Sequence, residues 1–256
     1  MTRQARTEST TGIYHAMMLG INHQNIFCER EDFEKFKDCL RKAKEDSGLK
    51  IPGYCLMDNH VHIVAAAGKE PIGTSFKRLG IRYASWYNRK YGRQGALFQD
   101  RFKSEPIEDD RYMLSVVRYV HLNPVKAGIR KNAREYEWSS YSDYVGKGDG
   151  LADTDAVLGI FSKNPAEQIR LFEEYTKEAG DEVFVDIGAV PCITDEAIRE
   201  KMAGICGAVD AGEFQALPTE ERERAIRAMR KGGMSIRQIV RNTGVSFGIV
   251  RRIDGR

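Results

Sequence analysis

The chain has 256 residues, 41% of them hydrophobic and 30% charged, with a formal net charge of +3. That composition fits an ordinary globular protein of one large or two modest domains, and it excludes a disordered or collagen-like chain. Five cysteines, Cys28, Cys39, Cys55, Cys192 and Cys206, form no CxxC pair, which argues against a disulfide framework or zinc module and for a reducing, cytoplasmic setting.

The charge is unevenly spread. Lys77 to Lys103 holds eight basic residues and one acidic, Asp149 to Glu200 holds thirteen acidic and four basic, and Arg227 to Arg252 holds seven basic and none acidic. Two basic segments flanking an acidic middle suggest phosphate partners; scattered solvated charge is the competing explanation. No apolar run approaches the ~18 residues of a membrane span. The polar start MTRQARTESTTG has no apolar core behind it, so no secretory leader is expected.

In chain order, Ile13 to Leu19 (IYHAMML) reads as a strand. Glu29 to Ser47 carries Phe33, Phe36, Leu40 and Ala43 at helical spacing, and Gly48 is a natural stop. Leu49 to Met57 is a second strand, Asp58-Asn59 a turn, and His60 to Ala66 a third strand. Ile72 to Tyr91 is an amphipathic helix with Phe76, Leu79, Tyr83 and Trp86 on one side. Ala96 to Ile107 is extended. Asp109 to Leu122 is a second long helix, expected to end at Asn123-Pro124. Strands and helices interleave, so residues 12–145 form one α+β unit with a mostly antiparallel sheet. Residues 146–193 read as an acidic connector with one helix from Pro165 to Glu178.

The last unit, 194–256, is all helical. Thr219 is placed to cap a helix whose early glutamates suit its positive end, and Gly232-Gly233 closes it. Ile236, Ile239 and Val240 make one apolar face, Thr243-Gly244-Val245 a short turn, and Ser246 the cap of a helix bearing Ile249, Val250 and Ile253. This is the sequence form of a helix-turn-helix, whose second helix enters the major groove. Its candidate DNA contacts are Arg237, Arg241, Ser246, Arg251 and Arg252. A plain helical hairpin packed on the body is the alternative.

Two stretches carry chemistry. In Met57-Asp58-Asn59-His60-Val61-His62-Ile63-Val64 the strand period of two turns His60 and His62 to one face, about 6.6–7 Å apart along the strand. Two imidazoles on one face can share a divalent ion, and a pair of buried, hydrogen-bonded histidines is the competing reading. A cupin is disfavoured because the nearest glutamate, Glu70, is eight residues on. In Arg118-Tyr119-Val120-His121-Leu122-Asn123-Pro124, Tyr119 and Asn123 share a helical face, roughly 5–6 Å apart at Cβ. An amide oxygen can be a hard metal ligand, and a tyrosine beside a metal-bound phosphate can be a nucleophile. Tyr119 can equally be a core aromatic, and Tyr112, one heptad earlier, competes for the role. His121 lies on another face, for packing or phosphate contact.

At these residues the chain resembles the single-tyrosine HUH transposases of bacterial insertion sequences, most closely the REP-associated tyrosine transposases. The resemblance spans about Gly12 to Val145 and rests on YHAMMLG, MDNHVHIV, LFQDRFKS and RYVHLNPVKAG. It implies a ferredoxin-like core, His60 and His62 as the metal pair, Tyr119 as nucleophile and Asn123 at the third-ligand position, where insertion-sequence relatives more often carry glutamine. It implies Mg²⁺ or Mn²⁺, a hairpin-bearing single-stranded DNA substrate and a 5′-phosphotyrosine intermediate. A basic surface of Arg78, Arg82, Arg101 and Lys103 is expected to receive the hairpin. Tyr83, Trp86 and Tyr87 are candidates for base stacking, with core packing expected for at least one. Duplex DNA is a second candidate partner, through the C-terminal unit. The sequence leaves open a monomer or homodimer, the hairpin recognised and whether the protein is mobile or domesticated. Two other functions also stay open: a non-catalytic sequence-specific DNA-binding regulator, and a metal-dependent hydrolase that uses water. Free tyrosine, with a pKa of about 10, is only about one part in a thousand ionised at pH 7, and the sequence does not show what activates it.

Overall fold

In the computed structural model, which describes residues 7–178, 195–232, 234 and 236–254, a four-stranded antiparallel sheet organises the front of the chain. Its strands are β1 (Ile13–Leu19), β2 (Lys50–Met57), β3 (His60–Ala66) and β4 (Lys103–Ile107), in the spatial order β2-β3-β1-β4. Helix α1 (Arg30–Ser47) links β1 to β2, and α2 (Ile72–Lys90) links β3 to β4. The Asp58-Asn59 turn joins β2 to β3, pairing Met57 with His60. Gly48 ends α1 at φ 69°, a left-handed conformation that glycine adopts without steric cost.

The pleat sorts the strand residues onto two faces. One face carries Ala16, Met18, Val61, Ile63 and Ala65, which form a core with Phe36 and Leu40 of α1 and Phe76, Leu79 and Tyr83 of α2. The other carries Cys55, Met57, Val64 and Ile107, packed under α3 (Asp110–Lys126) through Met113, Val116, Val117 and Val120. Each side chain fully buried in these layers contributes roughly 1.5–3 kcal/mol, and the sheet is anchored from both sides. His15, Met17, His60 and His62 belong to the α3 face, because Met17 opposes His62 and His15 opposes Val64 across β1 and β3.

Helix α3 does not stop at Asn123-Pro124. It runs to Lys126 with Pro124 inside it. Proline in the last turn forfeits only its own N–H, and the turn is closed by Ala127 N–H donating to Asn123 O at 2.9 Å. Asn123 therefore stays helical and keeps its one-turn relation to Tyr119.

Beyond α3 come α4 (Tyr141–Tyr144), α5 (Asp155–Phe161) and α6 (Pro165–Lys177). Val157, Leu158 and Phe172 join the core beneath α3, so these helices are part of the same layer. The rest of the expected connector, residues 179–193, lies outside the described residues, as do Cys192 and Thr194. Cys28, Cys39, Cys55 and Cys206 are free thiols.

The chain divides into two compact units, Met1–Val190 and Pro191–Arg256. The second holds α7 (Asp195–Cys206), α8 (Ala211–Ala216), α9 (Thr219–Lys231), α10 (Ile236–Thr243) and α11 (Phe247–Asp254). Its core is built from Ile198, Met202, Phe214, Ile226, Met229, Ile239 and Val250. Thr219 is not the cap of α9. Pro218 takes that position in an extended conformation, and its carbonyl accepts from Glu221 and Arg222 N–H. Gly244, at φ +66°, turns α10 into α11, and Ser246 O accepts from Ile249 and Val250 N–H at the start of α11. No helix among the described residues is long and apolar enough to cross a membrane.

Candidate active site

His60 and His62 are delivered by the central strand β3, held on one side by β2 and on the other by β1. Both are buried. Their rings meet edge to face with centroids 4.9 Å apart. Tyr119 is brought to them by α3: its ring stands perpendicular to that of His62, centroids 5.5 Å apart. The i to i+4 spacing on α3 places Asn123 beside it, where the Asn123 Nδ2 donates to Tyr119 O at 3.2 Å. That bond uses the nitrogen end of the amide and leaves its oxygen as the end able to serve a cation. All four residues are at most 8% exposed, so reacting groups here sit in a low dielectric.

A third histidine belongs to the cluster. His15 of β1 is 2% exposed, stacks on His62 with centroids 5.2 Å apart, meets Tyr119 edge-on at 5.8 Å and shares a 3.0 Å hydrogen bond between its Nε2 and His62 Nδ1. Sequence reasoning left it as one residue of a strand. The signal was present in three of five histidines falling in two apolar strands, but it needed the β1–β3 pairing to become a site. Lys126 was missed as well: its Nζ lies 4.7 Å from the centre of the Tyr119 ring, and a positive charge there favours the phenolate over the phenol.

Burial lowers the pKa of His15 from 6.5 to about 4. Burial, and then repulsion from His60 and His15, holds His62 well below its ordinary value. Both are thus neutral imidazoles at neutral pH, the form that ligates metals. The donor set suits a divalent ion. His60 Nδ1 lies 2.7 Å from Asn59 Oδ1, which can only accept, so the His60 proton sits on Nδ1 and its Nε2 carries the lone pair. His62 Nε2 is buried without a hydrogen-bond partner. Among the described residues no three His, Cys, Asp or Glu side chains converge as a metal-binding group. An ion here would therefore rest on the histidine pair, the Asn123 amide and solvent or substrate oxygens.

Other expected residues fall elsewhere. Burial, and then its hydrogen bond to Glu105, push the Tyr112 phenol pKa up. His121 is fully buried among Tyr141, Tyr144 and Phe172 and bonds Ser140 Oγ at 2.7 Å, so it packs and contacts no phosphate. Tyr83 and Tyr87 are fully buried with their hydroxyls on Ile26 O and Asn25 O; they are core residues, not stacking platforms. Trp86 is partly buried, with Lys90 Nζ 5.0 Å from its ring centre.

Arg78 and Arg82 lie on α2, on the far side of the sheet from the histidines. Arg78 is forked onto Glu70, with one bond of 2.9 Å, and Arg82 bonds Asp46 at 3.0 Å. Arg101 is exposed and rims a cavity of about 670 Å³ between α2 and residues 96–102, which is lined by Met18 of that same far face. Of these four cations, Lys103 alone takes a strand position on the histidine face, opposite Met17. In the second unit Arg241, Ser246, Arg251 and Arg252 are exposed. The side chain of Arg237 lies outside the described residues.

The site defines a class: a buried histidine pair on the central strand of an antiparallel sheet, faced by a helix-borne tyrosine. Residues 8–123 match the family "Transposase IS200 like". Within it the likeness is to REP-associated tyrosine transposases. A Haemophilus influenzae protein named "Putative REP-associated tyrosine transposase" is 22% identical over 119 residues, which cover 42% of this chain and 67% of that one. The solved structure of a REP-associated tyrosine transposase bound to a REP hairpin shares the fold, with a TM-score of 0.50 at 18% identity over 60% of this chain and 90% of the other.

Proposed function

We propose that the protein is a transposase-type nuclease and strand transferase that cuts and rejoins hairpin-bearing single-stranded DNA through Tyr119. The observation that carries this is the perpendicular contact of the Tyr119 ring with His62 at 5.5 Å, inside a domain that matches the IS200-like family. The Tyr119 oxygen attacks phosphorus, the P–O3′ bond breaks, and the 3′ oxygen leaves and takes up a proton. The phenol proton passes to solvent or a base. A 5′-phosphotyrosine results, and attack by another 3′-hydroxyl reverses the step with no external energy source. Lys126 stabilises the phenolate. His60, His62 and Asn123 would hold a Mg²⁺ or Mn²⁺ ion, whose chemistry is to polarise the scissile phosphate and neutralise the leaving oxygen.

The β-α-β-β-α-β order with spatial order β2-β3-β1-β4 supports a ferredoxin-like reading of the front unit. We assign 12–145 as the nuclease domain and 194–256 as a helix-turn-helix unit for duplex DNA. Support for the latter comes from α10, the left-handed Gly244 and α11, which exposes Phe247 and Ile249 beside Arg251 and Arg252. Free thiols support the cytoplasm.

The test incubates the protein with labelled hairpin-bearing single-stranded DNA and Mn²⁺ or Mg²⁺. The expected result is a denaturation-resistant adduct that Tyr119→Phe abolishes. Cleavage that survives Tyr119→Phe would show water to be the nucleophile. Tight binding without cleavage under either metal would leave the exposed face of α11 as the working surface and make the protein a regulator.

A further inference from the structure

The bond between His15 and His62 contains a choice that decides whether His62 can ligate at all. Two imidazole nitrogens, His15 Nε2 and His62 Nδ1, lie 3.0 Å apart and are buried, and one proton lies between them. If His15 gives that proton, His62 Nδ1 is the acceptor and His62 Nε2 carries the hydrogen. A buried N–H would then point from the one position a metal needs as a lone pair, with no partner to receive it. If His62 gives the proton, its Nε2 presents the lone pair, and His15 carries its own hydrogen on Nδ1.

The neighbouring strand selects between the two. His15 is directly opposed to Glu105 across β1 and β4; directly opposed side chains share a face with Cβ atoms about 5 Å apart. Glu105 Oε2 is buried without a hydrogen-bond partner, and so is His15 Nδ1. A carboxylate can only accept, so a negative charge at this cross-strand position favours a hydrogen on His15 Nδ1 over a lone pair there. On the other side of the pair, Asn59 Oδ1 already places the His60 hydrogen on Nδ1, and the same amide is oriented by its Nδ2 on His23 O at 3.4 Å.

We propose that His15 is a positioning residue for the metal pair: it accepts from His62 Nδ1–H and so fixes the tautomer in which His62 offers Nε2. Asn59 does the same for His60 from the β2–β3 turn, so strand β1 and that turn together deliver two matched lone pairs. This rests on the reading of His60 and His62 as ligands. Outer partners of this kind typically change metal affinity 10–100-fold when removed.

The experiment uses the full chain, free of metal and DNA, at neutral pH. Long-range ¹H–¹⁵N spectra of the histidine rings are expected to show His62 protonated at Nδ1 in the natural protein. His15→Phe keeps an aromatic ring but no acceptor; it is expected to move His62 toward the Nε2–H form and to weaken Mn²⁺ binding by calorimetry 10–100-fold. His15→Gln, whose amide oxygen reaches a similar position, is expected to restore both. Should His15→Phe fail to fold, the natural protein and His15→Gln still decide the matter. A natural protein with His62 protonated at Nε2, or a folded His15→Phe with unchanged tautomer and Mn²⁺ affinity, overturns the proposal. Failure of the ligand reading looks different: the natural protein binds no Mn²⁺ whatever its tautomer.

Discussion

Ser140 fastens the helix that carries Tyr119 to the sheet, and Ser140→Ala tests that attachment. Its Oγ accepts from Tyr54 N–H at 2.9 Å and from His121 Nε2 at 2.7 Å, and donates to Tyr54 O at 3.2 Å. Ser140, His121 and Tyr54 are at most 1% exposed, so water cannot replace the hydroxyl. Alanine strands two buried donors at about 1–3 kcal/mol each, whereas Tyr54 O keeps the Ser140 N–H. The expected loss is about 3 kcal/mol. His121→Phe removes one of the two donors, so the double variant should be less destabilised than the sum of the singles by about 1–2 kcal/mol. Both tryptophans, Trp86 and Trp138, belong to the first unit, so fluorescence during urea unfolding reports that unit alone. A Ser140→Ala protein within 0.5 kcal/mol of the natural one, or strict additivity in the cycle, would refute the reasoning.

Gly244→Ala should destabilise the second unit by about 1–2 kcal/mol, because φ is +66° and the added Cβ would meet the Gln215 side chain; thermal melts read by circular dichroism check it. Asp153 bonds Ile51 N–H at 2.7 Å and Lys44 Nζ at 2.8 Å, and those contacts outweigh the upward push of burial and hold its pKa below 3.8. As pH falls, the unfolded chain takes up the proton first, so this stabilisation is present above pH 4 and lost as pH drops through the folded value; Asp153→Asn should flatten the acid limb of an unfolding curve and cost about 1 kcal/mol at pH 7. Lys126→Gln removes a charge close to the Tyr119 ring, worth about 1 kcal/mol at an exposed position, and should slow adduct formation about fivefold, with less effect in high salt; an unchanged rate would count against its role.

Local patterning carried much of the fold. Short apolar runs and the Asp58-Asn59 turn located β1 and β3 at their observed limits, and apolar spacing with Gly48 located α1. Those signals depend on neighbours within a few residues. What stayed hidden depended on distant partners. Arg78 and Arg82 are expected on a basic surface that receives the hairpin, and their ion pairs with Glu70 and Asp46 form only through the tertiary fold. Tyr83 and Tyr87 share a helix with Trp86, and only the packing of α2 on the loop at Asn25 and Ile26 decides which of them is buried. The end of α3 was misjudged for a subtler reason: proline disfavours a preceding helical residue, but in a last turn already held by packing that preference is outweighed.

The site itself is an intersection of two periods and one register. Strand geometry puts His60 and His62 on a face, and helix geometry puts Tyr119 and Asn123 on a face; both can be read from the chain. That the two faces are the same face follows from the core: among the described residues, Cys55, Val64 and Ile107 pack with Met113, Val116, Val117 and Val120 of α3. The pairing of β1 between β3 and β4 then decides the third member. With Met17 opposite His62 and Glu105 opposite His15, the histidine of β1 is carried to the Nδ1 of His62 and a carboxylate is set on its other side. A shift of one residue in the β1 register would turn His15 to the opposite face, into the α1–α2 core. The register of IYHAMML against its neighbours therefore sets the partner of a ring forty-seven positions away, which is why no local reading of MDNHVHIV could reveal it.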